Sequence, residues 1–199
     1  MGPLNMLSRS IQGKVAIVTG AASGMGRATA HLFSDEGATV AVCDINADGV
    51  EQVVNEIRKS GGSANGYVID LQERDAALRL VEQVQSDLGP IDILINNAGV
   101  SIGAPIDSPN FENIWDTTFA VNLDAQMRLI RACLDDLRRD QEGRIVNISS
   151  TEGLGGSAGI SPYCLLYTSP SPRDQRGSRM PAYAGKKKWG GGGGGGGGG

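Results

Sequence analysis

Apolar positions in this chain come in short runs separated by helical stretches, with glycine or acidic residues at nearly every junction. Residues 15–18 are apolar and β-branched, and a run this short between turn residues reads as a strand buried on both faces. Gly20, Gly24 and Gly26 then punctuate a turn, and residues 27–36 have the composition of a helix. A second strand follows over 38–43, ending in Asp44, and a helix over 47–59 stops at Gly61 and Gly62. The third strand, 63–69, is closed by Asp70 and Leu71. Residues 75–88 place Ala77, Leu80, Val81, Val84 and Leu88 on one helical face. Gly89-Pro90 ends that helix, and a fourth strand over 91–95 leads into Asn96-Asn97-Ala98-Gly99. A loop over 100–110 precedes a long helix, 111–138, with Asn122 in its middle. Asparagine is mildly unfavourable inside a helix, so it implies either a kink or a task. A fifth strand over 143–148 ends at Ser149-Ser150, and a glycine-rich loop, 153–159, leads to Ser161-Pro162-Tyr163.

Strands alternating with helices of this length predict right-handed crossovers and an α/β fold, a doubly wound parallel sheet with helices on both faces. Sites in such sheets form at the carboxyl ends of the strands. The glycine turn, Asp44, Asp70 and Asn97 all fall there. A strand that breaks at glycines into a helix aims backbone N–H groups and the positive end of the helix dipole at one point, which suits a pyrophosphate. Asp44 lies 18 positions beyond Gly26, close to the offset of about 20 at which an acidic residue reaches a ribose 2′-hydroxyl. Its other reading is a plain N-cap for the helix over 47–59.

Composition narrows the chemistry. The formal net charge of −4 argues against a nucleic-acid surface. Residues 1–163 hold 12 Lys and Arg against 21 Asp and Glu, whereas residues 164–199 hold six basic residues and one acidic. The two parts do not read like one protein. Cys43, Cys133 and Cys164 have neither metal-ligand nor disulfide spacing, which predicts a reducing cytoplasm and no metal site. His31 is the single histidine and reads as a surface or boundary residue, so a histidine-based triad is not expected. No apolar run has the length of a membrane span, and residues 1–12 read as an N-terminal extension without a signal-peptide core.

Taken together, the residues from Thr19 through Gly26, Asn96-Asn97-Ala98-Gly99, Asn122, Ser150 and Tyr163 resemble the short-chain dehydrogenase/reductase family. The resemblance implies a Rossmann-type domain over 13–163, a nicotinamide cofactor, and hydride transfer at a carbonyl or secondary alcohol of a small molecule. It also implies a homo-oligomer. It assigns cofactor binding to Gly20, Ser23, Gly24, Met25, Gly26, Asp44, Asp70, Leu71, Asn97, Ala98 and Gly99. Tyr163 becomes the general acid/base, Ser150 hydrogen-bonds the reacting oxygen, and Asn122 holds a water in a proton relay. A phenol ionises near pH 10 and is a poor base at neutrality unless a cation lowers that value. The family supplies that cation as a lysine four positions after the tyrosine, one helical turn on. Here position 167 is tyrosine.

Beyond Tyr163 the sequence changes character. Residues 164–174 and 178–181 back-translate, in one frame, into segments resembling a sequencing-library adapter, followed by the A-run and G-run of Lys186 to Lys188 and the terminal glycines. Residues 164–199 are therefore expected to be a non-native, disordered tail on a chain truncated after the tyrosine, lacking the family's C-terminal strands and helices. Asp44, with no basic residue at Ser23, predicts NAD(H) over NADP(H); Arg27 is the one side chain that could swing toward a 2′-phosphate. Two other classes compete with a live enzyme: a non-catalytic dinucleotide-binding sensor, and an inert fragment.

Overall fold

The computed structural model describes residues 10–153 and 159–167. Five parallel strands form one sheet: β1 (Val15–Thr19), β2 (Thr39–Asp44), β3 (Ser63–Val68), β4 (Ile93–Asn96) and β5 (Arg144–Asn147). Their order is β3-β2-β1-β4-β5. The chain thus winds outward from β1 in both directions, and the direction changes between β1 and β4.

Three helices make the first crossovers, α1 (Gly24–Asp35), α2 (Ala47–Lys59) and α3 (Ala76–Leu88). Because side chains alternate along a strand, each strand feeds two cores. Ala16, Val18, Val40 and Val42 pack with Ala30 of α1 and with Val50, Val53 and Ile57 of α2. Val15, Ile17, Ala41 and Cys43 pack on the other side with Leu80, Val81 and Val84 of α3. Burial on both faces is why these strands read as continuous apolar runs.

The foot of the sheet is tied by Asp92, which is almost fully buried. Its carboxylate accepts the N–H of Val15 at 2.9 Å and a bond from Arg139 at 2.8 Å. Lys14 completes the cluster, 3.4 Å from Asp92 and 3.0 Å from Glu142.

The predicted helix over 111–138 is divided. It runs as α4 (Phe111–Phe119), a π-helical turn (Ala120–Asp124), α5 (Ala125–Ala132) and α6 (Leu134–Arg138). The N–H of Ala125 bonds the carbonyl of Ala120, five residues back, which is the π spacing. Leu129 and Cys133 nonetheless stay on the α3 side of the sheet. The first helix starts at Gly24 rather than at Arg27, since the N–H of Arg27 already bonds the carbonyl of Ser23 at 3.0 Å and closes the first turn. The fourth strand starts two residues later than expected, because Ile91 gives its N–H to Asp136 instead of to the sheet.

Among the described residues β5 pairs with β4 alone, and Ile145 and Val146 are exposed. A last helix, α7 (Ser161–Tyr167), carries Tyr163 and continues four residues beyond it. Cys164 is buried there. The helix spans the boundary placed at Tyr163, and residues 168–199 lie outside the described residues. No helix among the described residues is long and apolar enough to cross a membrane.

Candidate functional site

The carboxyl ends of β1, β2, β3 and β4 open into a cleft of about 150 Å³. Gly20, Asp44, Asp70, Leu71, Ala98 and Gly99, all expected at the cofactor, line it together. Val100, Val121 and Gln72 are among the wall residues that the sequence reading missed. None carries a motif signal; they arrive through the loops that follow β4 and β3 and through the π turn.

Two glycines of the turn answer to steric necessity. Gly20 has φ +65°, and a Cβ there would lie 2.8 Å from the Cα of Ala98. A Cβ on Gly26 would lie 2.1 Å from the carbonyl oxygen of Gly20, so α1 approaches the turn as closely as backbone allows. Gly24, at φ +53°, has open space around it. Met25, between them in the first turn of α1, is exposed. An open, glycine-lined helix start is what a pyrophosphate requires, so these residues fit a dinucleotide.

Thr19 holds the turn to β4. It is buried, and its hydroxyl accepts the N–H groups of Asn97 and Ala98, each at 3.0 Å, while donating to the carbonyl of Ile95 at 3.2 Å. Asn97 returns the contact: its Nδ2 donates to the carbonyls of Thr19 at 2.9 Å and Gly20 at 3.2 Å. Asn97 therefore sets the shape of the glycine turn, with its side chain directed at backbone rather than into the cleft.

Asp44 is the last residue of β2, and its carboxylate accepts the N–H groups of Ala22 and Asn46, each at 3.0 Å. Capping of α2 falls to Asn46, whose side chain accepts from the N–H of Gly49 at 3.2 Å. The N-cap reading of Asp44 is thereby removed. Among the described residues no lysine or arginine is bonded to Asp44. Asp70, at the end of the third strand region, turns on itself, accepting the N–H of Gln72 at 2.9 Å.

Arg27 is turned toward α2. It forms a two-bond pair with Glu56, at 3.1 and 2.7 Å. His31 is half-buried and lies 3.0 Å from the same carboxylate. The hydrogen bond from Gln52 foremost, then those from His31 and Arg27, hold the Glu56 carboxyl below its ordinary value despite partial burial.

Asn122 sits within the π turn and is buried. Its Nδ2 donates to the carbonyl of Val100 and its Oδ1 accepts the N–H of Val100, both at 2.8 Å. The expected kink is present as the widened turn, and that turn carries the side chain that clamps the cleft wall. Ser150 lies just past β5, its hydroxyl accepting the N–H of Glu152 at 3.2 Å. The short 3₁₀ turn that follows (Thr151–Gly153) packs against α7, and α7 also packs on α4. Tyr163 and Ser150 are thus carried by neighbouring elements at the same end of the sheet.

The cysteines stand apart from this chemistry. Burial pushes the Cys43 thiol well above its ordinary value, and that of Cys133 up to about 12. Neither core thiol can serve as a thiolate near neutrality. Among the described residues no three His, Cys, Asp or Glu gather as a metal site.

Comparison with known proteins agrees with this geometry. A short chain dehydrogenase of Pseudocercospora fijiensis is 40% identical over 141 residues, which is 70% of this chain and 46% of that protein. The 3-oxoacyl-[acyl-carrier-protein] reductase FabG of Thermotoga maritima is 37% identical over 153 residues, 77% of this chain and 62% of its own. The chain therefore spans between about half and three-fifths of the length of these relatives. A solved 7α-hydroxysteroid dehydrogenase, complexed with NADH and 7-oxo glycochenodeoxycholic acid, superimposes with a TM-score of 0.75 at 31% identity, covering 79% of this chain and 61% of that one. The family model described as short chain dehydrogenase matches residues 14–165. With the glycine turn, the acidic end of β2 and the β4 loop arranged as described, the chain belongs to the short chain dehydrogenase family, a family of oxidoreductases that use a nicotinamide dinucleotide.

Proposed function

We propose that this chain carries the cofactor-binding half, and the Ser150–Tyr163 portion of the catalytic machinery, of an NAD(H)-dependent oxidoreductase that interconverts a secondary alcohol and a carbonyl. The observation that carries the cofactor choice is Asp44. Its carboxylate lines the cleft at the end of β2, bonded to two backbone N–H groups and to no cation among the described residues. A carboxylate so placed accepts a hydrogen bond from a ribose 2′-hydroxyl and repels a 2′-phosphate.

The nicotinamide dinucleotide, when bound, supplies the hydride donor or acceptor. The protein's own residues do the rest. Gly20 and Gly26 let the turn and α1 pack closely and Gly24 leaves open space, so that the start of α1 would receive the pyrophosphate with Ser23 and Met25 beside it. Asp70, Leu71, Ala98 and Gly99 form the walls, and Asn97 keeps the turn in shape. Tyr163 gives a proton to the developing alkoxide in reduction and takes it back in oxidation, and Ser150 holds the same oxygen. Asn122 belongs to the proton relay through the loop it fixes. Position 167 is tyrosine where the family's lysine would stand, so proton transfer lacks its cation. We therefore read the 199-residue chain as a dinucleotide-binding species that turns over no alcohol or ketone.

Titration of the purified chain with NADH and with NADPH tests the reading. NADH should bind tighter by about tenfold to a hundredfold, the scale of one charge-assisted hydrogen bond. Equal or tighter binding of NADPH refutes the assignment of Asp44.

A further inference from the structure

The pair between Arg27 and Glu56 bears on that selectivity. Arg27 stands in the first turn of α1, and its N–H bonds the carbonyl of Ser23 at 3.0 Å. It is therefore one helical turn from the glycine loop. Helix α2 runs close against that loop, since a Cβ on Gly49 would lie 2.7 Å from the Cβ of Ala22, whose N–H is itself bonded to Asp44. The ribose end of the cleft and the Arg27 backbone thus share one small region between α1 and α2. A long guanidinium side chain there is a ready bidentate ligand for a phosphate.

Glu56 takes that ligand out of play. It accepts from both Nε and Nη2 of Arg27, so one edge of the guanidinium is engaged on one carboxylate and the side chain is held in the direction of α2. Gln52 donates to its Oε1 at 2.9 Å, and His31 lies 3.0 Å from its Oε2, so the carboxylate is fixed from its own helix and from α1. The arrangement is oriented as well as charged, and that separates it from an ordinary surface ion pair.

We propose that Glu56 is a specificity-determining residue: by holding Arg27 against α2 it denies a 2′-phosphate the Arg27 guanidinium and leaves Asp44 to select a 2′-hydroxyl. Glu56 touches no part of the cofactor and acts as a positioning residue. The inference rests on the NAD(H) reading above.

The test is a set of nucleotide titrations on the full chain, wild type, Glu56→Ala, Arg27→Ala and the double variant. The wild-type preference for NADH tests the Asp44 assignment on its own. The proposal concerns the change in that preference. In Glu56→Ala the ratio of NADPH to NADH dissociation constants should fall about five- to tenfold, chiefly through tighter NADPH binding. Arg27→Ala alone should leave the ratio unmoved, and adding it to Glu56→Ala should abolish the gain. An unchanged ratio in Glu56→Ala overturns the proposal. So does a loss of NADPH affinity in Arg27→Ala as large in the presence of Glu56 as in its absence. A reading without nucleotide covers the case of weak binding: the three variants' thermal midpoints should be non-additive, as a coupled pair demands. Additive midpoints would show that Glu56 does not hold Arg27 in solution.

Discussion

Both polar atoms of the Asn122 side chain close onto one residue, the backbone of Val100, at 2.8 Å each. Asn122 is buried, and its loss would leave the Val100 N–H and carbonyl without their partner in the loop that walls the cleft. Replacing it with leucine should cost about 1–3 kcal/mol, two part-buried hydrogen bonds at about 0.5–1.5 each. Asn122→Asp keeps the acceptor for the Val100 N–H but sets a buried carboxylate oxygen against the Val100 carbonyl, and near neutral pH it should be no more stable than Asn122→Leu. Urea unfolding of the three proteins orders them; a leucine variant as stable as wild type would mean the clamp does not matter.

The glycine turn offers a contrast between crowding and strain. Gly26→Ala would drive a Cβ to 2.1 Å from the Gly20 carbonyl oxygen, and backbone cannot yield as a side chain does. Its cost should reach about 3 kcal/mol, the upper end for overpacking, with loss of nucleotide binding. Gly24→Ala meets nothing within 4 Å and suffers only its positive φ, about 1–2 kcal/mol. Thermal denaturation of the two variants, with NADH titration, checks the order; equal effects would contradict the packing described.

How much of this was legible in the sequence differs by kind of feature. The strands and α2 were, because burial on both faces and a single apolar stripe leave continuous and periodic patterns. Helix α2 falls on the expected residues 47–59. The division of the 111–138 helix was not, since a π turn adds one residue to a turn without altering its composition; only Asn122 marked the place. Asp44 and Asn46 are two residues apart and each is a fair N-cap by type, so only the bonds decide that Asn46 caps and Asp44 faces the cleft. The capture of Arg27 by Glu56 joins residues 29 apart on different helices, beyond the reach of any i, i+4 rule. That the Asn97 side chain bonds the glycine turn, 77 and 78 residues away in sequence, is likewise visible only in the fold.

Acid should weaken the fold through carboxylates held below their ordinary range. Glu56, bonded by Gln52, His31 and Arg27, and Asp140, bonded by the N–H of Glu142 and facing Lys14 and Arg139, both have lowered values. A lowered folded-state value means stability that is complete above the unfolded-state value, 4.5 for a glutamate such as Glu56, and is lost as pH falls below it. Thermal midpoints measured from pH 6 downward should therefore drop through this window, and Glu56→Gln should drop less steeply than wild type. Parallel curves would contradict the contribution of Glu56.

The exposed pair Ile145 and Val146 on the outer strand β5 implies self-association of the isolated chain, since an apolar strand at a sheet edge invites pairing. Sedimentation at increasing concentration should show larger species, and a double Lys substitution at these positions should reduce them. A monodisperse monomer at all concentrations would count against the edge.

The most direct measurement is the nicotinamide absorbance change catalysed by a chain in which residues 164–199 are replaced by the corresponding C-terminal part of the Thermotoga maritima reductase, assayed with NADH and that enzyme's ketone substrate. Turnover is expected in the completed chain and not in the 199-residue chain, and Tyr163→Phe in the completed chain should lower it by about a hundredfold to ten-thousandfold. A well-folded completed chain that binds NADH and turns over nothing, or turnover by the 199-residue chain itself, would contradict the assignment of hydride-transfer chemistry to Ser150 and Tyr163 on this framework.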